Sequence, residues 1–364
     1  MTSPVAPYVP SSKTKPVLIT GGAGFVGSNL ALRLAREGKK VLVLDSLARP
    51  GVEQNAEDLR CAEPRNISIQ IVDVCDESAA LAVRDASAVV HFAAQVAVTT
   101  SLEQPLADFD VNVRGTLNLL EAARGCSRPP TFLFASTNKV YGDLADVTLE
   151  ATKDAYSVAD FEMGQSGIDE SRPLSFHTPY GCSKGAADQY VLDYARSFGI
   201  PAATFRMSCI YGPRQLGTED QGWVAHFLIR ALRGQPITIF GDGRQVRDVM
   251  FVDDVTDVYA RALENSHAVA GQAFNVGGGP ANAVSLLQVL QYIGVLLGQR
   301  PDVRYAAWRA GDQRYYVSNT AKLRAYLPLK PATSWQSGIA LLAKWLSSNR
   351  QTSRSDTTLA VGGA

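Results

Sequence analysis

The chain has 364 residues, 46% of them hydrophobic, with 35 Lys and Arg set against 35 Asp and Glu. That length supports a large folded core, and the balanced charge gives no global field to draw in nucleic acid or an anionic membrane surface. No apolar run approaches the roughly 20 residues of a membrane span. Cys61, Cys75, Cys126, Cys182 and Cys209 are scattered, without a Cys-x-x-Cys pair, which predicts a reducing, cytoplasmic setting. The histidines show no ligand spacing, so no metal is expected.

Residues 1–15 are rich in Pro, Ser and Thr and read as a flexible leader. Strand-like runs follow at Pro16–Thr20, Lys40–Asp45, Ile67–Val74, Ala88–Ala93, Thr131–Ser136 and Ala202–Met207. Between them lie helical patterns at Phe25–Glu37, Leu106–Arg124 and Ser183–Phe198. Near-continuous apolar strands alternating with helices predict an α/β fold, a doubly wound, Rossmann-like parallel sheet. After Ser208 the alternation loosens. Helices are expected within Gly222–Gly234 and Val284–Gly298, and short strands at Ile237–Phe240 and Phe274–Val276. The division is then a dinucleotide-binding domain over 16–207, with 246–278 returning to it. A smaller substrate-binding domain takes 208–245 and 279–347, and 348–364 is a flexible tail. The acidic interval Asp143–His177 reads either as a surface excursion or as a lid or subunit contact.

The turn Gly21-Gly-Ala-Gly-Phe-Val-Gly27 leaves the first strand and opens the first helix. Its glycines let the backbone approach a pyrophosphate, and the helix N-terminus supplies unpaired N–H groups. Gly21, Gly24, Phe25 and Val26 are the candidate contacts. Asp45 ends the second strand, roughly 20 residues on, where a carboxylate meets adenosine ribose hydroxyls and repels a 2′-phosphate. NAD is therefore the expected cofactor, favoured over NADP. Asp73 and Val74, and then Ala93, Ala94 and Gln95, close the next strands on the same edge.

Tyr180 and Lys184 lie four apart, on one face of the helix they open. Hydride leaves a carbinol carbon only if the hydroxyl proton leaves too. Tyr180 could take that proton, its pKa lowered by the Lys184 ammonium. A second Tyr-x-x-x-Lys, Tyr326 to Lys330, is interrupted by Pro328 and is assigned no chemistry. The string Ser136-Thr-Asn-Lys-Val-Tyr-Gly142 ends the fifth strand and offers a hydroxyl to the same reacting oxygen.

The glycine turn, this string and Tyr180-x-x-x-Lys184, in that order, resemble the extended short-chain dehydrogenase/reductase family. Its members include nucleotide-sugar epimerases, dehydratases and decarboxylases. The resemblance covers Pro16 to Trp345. It implies that Thr137 is the catalytic hydroxyl and that Asn112 supports the active-site network. Family 4,6-dehydratases carry an Asp-Glu pair after that hydroxyl, whereas this chain has Asn138-Lys139, so epimerisation is expected. Longer strings, Ser136–Asp143, Phe176–Tyr190 and Asp220–Val224, resemble the family branch that inverts C2 of a CDP-6-deoxyhexose through a 2-keto sugar. The resemblance implies substrate contacts from Asn138, Ser208, Gln221, Trp223, Arg244, Arg247 and Arg314. It also implies a homodimer or homotetramer. A C4-epimerase or related oxidoreductase on another nucleotide sugar is the alternative, and a non-catalytic NAD-binding sensor is a remote one.

Overall fold

Val41–Asp45 (VLVLD) shows why this chain makes parallel strands: residues 41–44 are all buried, although alternate side chains point to opposite faces. Only a sheet covered on both sides satisfies that pattern. In the computed structural model, which describes residues 15–309 and 311–359, that sheet has seven parallel strands. Their spatial order is Ala273–Val276, Ala202–Met207, Thr131–Thr137, Ala88–His91, Val17–Thr20, Val41–Asp45 and Ile67–Ile71. The chain starts in the middle and winds outward both ways, a Rossmann-like arrangement whose ligand edge is at the strand C-termini. The Phe25–Arg36 helix buries Gly27, Leu30, Ala31 and Leu34, a 3.6-residue stripe, on one face of the sheet.

Several boundaries differ from expectation. The long helix predicted over 106–124 is three pieces: Pro105–Phe109, a π-turn at Asp110–Arg114, and Gly115–Arg124. A wide turn of this kind shifts the side chains that follow it, and here it carries Asn112. The helix expected from Ser183 begins at Thr178, which brings Tyr180 into its first turn. Helices at Val52–Ala62 and Glu77–Arg84 complete the alternation.

A second core forms where Val246–Phe251 pairs with Cys209–Tyr211, Ala283–Ser285 and Tyr315–Tyr316. Val224, Phe227, Leu228, Val289, Ile293 and Ile339 pack against it. Within 246–278, expected to return to the dinucleotide-binding domain, the Val246–Phe251 strand pairs in the small sheet, while the Val252–Glu264 and Ser266–Val269 helices pack in the large core and the Ala273–Val276 strand joins the large sheet. The Trp335–Leu359 helix runs through most of the expected tail, and 360–364, like the leader residues 1–14, lie outside the described residues.

The 143–177 excursion makes a hairpin, Leu149–Ala151 with Tyr156–Val158, and a short Phe161–Ser166 helix. It is pinned to the C-terminal part. Tyr156 donates to Asp242 at 2.7 Å, Ser285 donates to the Asp154 carbonyl at 2.6 Å, and Ile168 bridges to Ser318. None of its described residues lines the two cavities described next.

Candidate active site

Two cavities open at the C-terminal edge of the large sheet. The first, of about 730 Å³, is lined by Gly21, Gly24, Phe25, Val26, Asp45, Asp73, Val74, Ala93, Ala94, Gln95, Tyr180 and Lys184. Every expected cofactor contact except Asn112 is on its wall. Asn112 acts one layer back: its Oδ1 accepts from the Gln95 N–H at 2.9 Å and its Nδ2 donates to the Gln95 carbonyl at 3.1 Å. It also bonds Asp108 and Ser183, tying the cavity wall to the helix that carries Tyr180. Sequence reasoning missed Ser46, Ala48 and Arg49, which follow Asp45 on the same wall.

The residues fit a dinucleotide. A Cβ on Gly21 would stand 2.6 Å from the Ala93 nitrogen, at a φ of +63°, so the tight turn requires glycine. A Cβ on Gly27 would meet the Gly21 carbonyl. Asp45 accepts from the Ala23 and Leu47 N–H groups at 3.0 and 2.9 Å, and burial raises its pKa against those bonds. Ser136 is buried on this wall with its hydroxyl unpartnered, a group that a ligand would satisfy.

The second cavity, of about 390 Å³, meets the first at Phe25, Val26, Ser136, Tyr180 and Met207. Thr137, Asn138, Ser208, Gln221, Trp223 and Arg247 line it as expected. Burial pushes the Tyr180 pKa up to about 12, outweighing the neighbouring Thr137 hydroxyl, which favours the ionised phenol. Lys184 is itself buried and brought down to about 7, with its ammonium bonded to the Ala135 carbonyl at 2.6 Å and 4.0 Å from the Phe134 ring centre. Desolvation disfavours the charged form of both groups.

Arg247 is the buried guanidinium of this cavity. It donates to the Val246 and Gln313 carbonyls at 2.8 and 2.5 Å, and no described carboxylate lies within ion-pair distance. An anion would complete it. The other two expected arginines are elsewhere. Arg244 bonds Asp242 at 3.2 Å and the Lys153 carbonyl at 3.3 Å, holding the excursion. Arg314 is exposed, 5.4 Å from the Trp308 ring centre. Each neighbours a residue that is buried instead, Gln245 on the cavity wall beside Arg244 and Gln313 in the interior beside Arg314, and alternate side chains along extended backbone point opposite ways. Arg309 is the cation that sequence reasoning missed. It lines the cavity, lies 3.5 Å from the Phe240 ring centre and pairs with Asp220 at 3.2 Å. Ser208 is spent on Asp248 at 2.5 Å, and Trp223 donates to the Cys209 sulfur at 3.5 Å. The duplicate Tyr326 to Lys330 is on neither wall.

A dinucleotide cavity joined to a second, partly apolar one at a Thr–Tyr–Lys cluster matches the NAD-dependent epimerase/dehydratase family model over residues 17–277. The chain belongs to that family. It is 40% identical to the CDP-paratose 2-epimerase of Salmonella typhi, over 91% of this chain and 99% of that one. It is 32% identical to a dTDP-glucose 4,6-dehydratase of Xanthomonas campestris, over 92% and 93%. The Thermus thermophilus UDP-glucose 4-epimerase, solved as a complex with NAD, matches with a TM-score of 0.76 and 33% identity, covering 91% of this chain and 99% of that one. The chain is therefore an NAD-dependent enzyme of the nucleotide-sugar epimerase and dehydratase class, with an isomerase's relatives. Among the described residues no helix is long and apolar enough to cross a membrane, and no acid, His and Cys group could hold a metal.

Proposed function

We propose that the enzyme inverts C2 of a CDP-6-deoxyhexose by transient oxidation to a 2-keto sugar. The observation that carries this reading is the pair after Thr137. Elimination of water needs an acid and a base there, but Asn138 donates to Gln313 at 3.0 Å and Lys139 to the Gly311 carbonyl at 2.9 Å. Both side chains clip the 311–313 segment over the cavity and leave no carboxylate at either position. Similarity to the Salmonella typhi enzyme supports the C2 and CDP assignment. The apolar wall of Phe25, Val26, Val98, Met207 and Trp223 suits a sugar short of hydroxyls.

NAD, held by the glycine turn, Asp45 and Lys184, supplies a hydride acceptor at the sugar carbon and then the hydride donor. Tyr180 takes the hydroxyl proton as the carbon is oxidised and returns it when the alcohol re-forms. Thr137 holds the same oxygen and keeps it aligned with the phenol. The Lys184 ammonium, when charged, favours the phenolate. Arg247 and Arg309 fix the diphosphate. The five cysteines are all free, in keeping with a cytoplasmic enzyme. Exposed Leu102, Leu106 and Phe109, beside the Thr178–Phe198 helix, support assembly as a homodimer or homotetramer.

The test is turnover of a CDP-6-deoxyhexose in deuterium oxide. The expected product is inverted at C2 and carries no solvent deuterium there. Label at C2, or inversion at C4, refutes the assignment.

A further inference from the structure

Two buried carboxylates, Asp188 and Asp108, act on the Lys184 ammonium, and one of them already has a cation. Asp188, one turn on in the same helix, is held by Arg206 through two bonds, at 3.1 and 3.0 Å. Asp108 is as fully buried, in the Pro105–Phe109 helix, and none of its described hydrogen bonds comes from a cation. Ser183 Oγ donates to its Oδ2, and Asn112 Nδ2 donates to its Oδ1 at 3.2 Å. A donor on each oxygen suits the ionised carboxylate. A buried anion is costly without an opposite charge to answer it.

Both partners of Asp108 belong to the site. Ser183 stands between Tyr180 and Lys184 in their helix and also donates to the Tyr180 carbonyl at 3.2 Å. Asn112 comes from the π-turn, lies 3.0 Å from Ser183 Oγ and holds the Gln95 backbone on the cofactor wall. The remaining surroundings of Lys184 supply no anion. Its described contacts are the Ala135 carbonyl and the Phe134 ring. On the Ala88–His91 strand, His91 is kept neutral by burial, and burial likewise disfavours the Tyr180 phenolate. Asp188 shares its charge with Arg206, so Asp108 is the carboxylate left to Lys184. Each of the two favours the ionised form of the other.

We propose that Asp108 is a positioning residue of the hydride-transfer site. It is the counter-charge that keeps the Lys184 ammonium ionised in a buried seat, and its bonds to Ser183 and Asn112 tie the Tyr180 helix to the cofactor wall. Its effect on turnover rests on the role given to Lys184 above, whereas the counter-charge is independent of the substrate.

Isotope-edited NMR of the lysine side chains follows Lys184 in the NAD-loaded enzyme, its signal assigned by its loss in Lys184→Met. Asp108→Asn keeps the size of the side chain and removes its charge, so Lys184 should lose its proton about one pH unit lower than in wild type. Turnover of a CDP-6-deoxyhexose against pH gives the second reading. Asp108 also opposes the Tyr180 phenolate directly, so its removal should carry the acid limb and the basic limb of the bell to lower pH together. A merely structural carboxylate would lower the bell and leave both limbs in place. An unmoved Lys184 titration overturns the proposal, and so do unmoved limbs. Should Asp108→Asn fail to fold, the Asp108 carboxyl is followed by NMR in wild type and in Lys184→Met. Loss of the cation should let it protonate about one pH unit higher, and an unchanged titration there is equally fatal. A shifted Lys184 titration in a protein that does not turn over the sugar nucleotide would remove the substrate assignment and leave the counter-charge standing.

Discussion

Replacing Lys184 with methionine should stabilise the fold while it destroys activity. The folded chain releases the Lys184 proton near pH 7, against 10.5 when unfolded, because burial disfavours the ammonium. The unfolded state therefore binds more protons between those values, and wild-type stability rises with pH through that window. At pH 7 the buried lysine costs about 4 kcal/mol on this basis. Methionine removes that cost but forfeits the bond to the Ala135 carbonyl and the contact with the Phe134 ring, together worth about 2–3 kcal/mol. The net expectation is Lys184→Met more stable than wild type by about 1–2 kcal/mol at pH 7. The advantage should vanish or reverse by pH 10. Urea unfolding at pH 7, 8.5 and 10 reads both effects, and turnover reads the loss of function. A variant less stable than wild type at pH 7, with a gap that does not change with pH, would refute the reasoning.

Tyr180→Phe should lower turnover by about 10²–10⁴-fold, the usual worth of a positioned acid–base group. Its NAD content, measured after release by heat, should match wild type. His91 is buried between Thr20 and Thr116, at 2.6 and 3.0 Å, and brought down to about 3. The unfolded chain takes up that proton near pH 6.5 and the folded one does not, so stability falls as pH drops below 6.5. Wild type should lose about 2 kcal/mol between pH 7 and pH 5 from this residue alone, and His91→Gln should flatten that limb of the urea-derived profile. Asp188 pairs with Arg206 at 3.0 Å in the core, and Arg206 also reaches the Tyr141 hydroxyl at 3.1 Å. Asp188→Leu should cost about 3–5 kcal/mol by stranding the guanidinium, and adding Arg206→Met should recover much of it. Full additivity in that double-mutant cycle would sink the pairing.

Much of the large domain was legible because parallel strands have a plain signal. Apolar runs bounded by glycine or polar residues placed Ala202–Met207 to the residue and the Thr131–Thr137 strand to within one. Periodicity was less informative where a helix breaks its own phase. The π-turn at Asp110–Arg114 adds a residue to one turn, and no 3.6-residue pattern anticipates that. The apolar repeat of the Tyr180 helix begins only at Ser183, because Pro179 suits a first turn but adds no apolar residue. The Tyr180 to Lys184 spacing is what points to the earlier start. The small sheet was illegible for a different reason. Its strands come from 209–211, 246–251, 283–285 and 315–316, and their pairing depends on contacts far apart in the chain.

The site divides the same way. The glycine turn, Asp45 and the Thr137, Tyr180 and Lys184 cluster depend on local spacing next to a strand end, and all of them reach the cavity walls. The arginines depend on which side of an extended segment faces inward, and composition does not carry that information. Alternation does. Arg247 faces the cavity, so residue 245 shares its side and residue 244 does not. Applied to the extended stretch from Arg244 into the Val246–Phe251 strand, that rule turns Arg244 away from the side that Gln245 and Arg247 share. The same rule leaves Arg314 outside because its neighbour Gln313 is the buried one, bonded to Asn138 and to the Gly142 carbonyl. The charged residue that sequence reading prefers at each of these places holds the outer surface together. The inner face carries a buried, uncharged amide, whose orientation is set by a partner of its own. What faces inward at these places is thus read from position along the chain before it is read from charge.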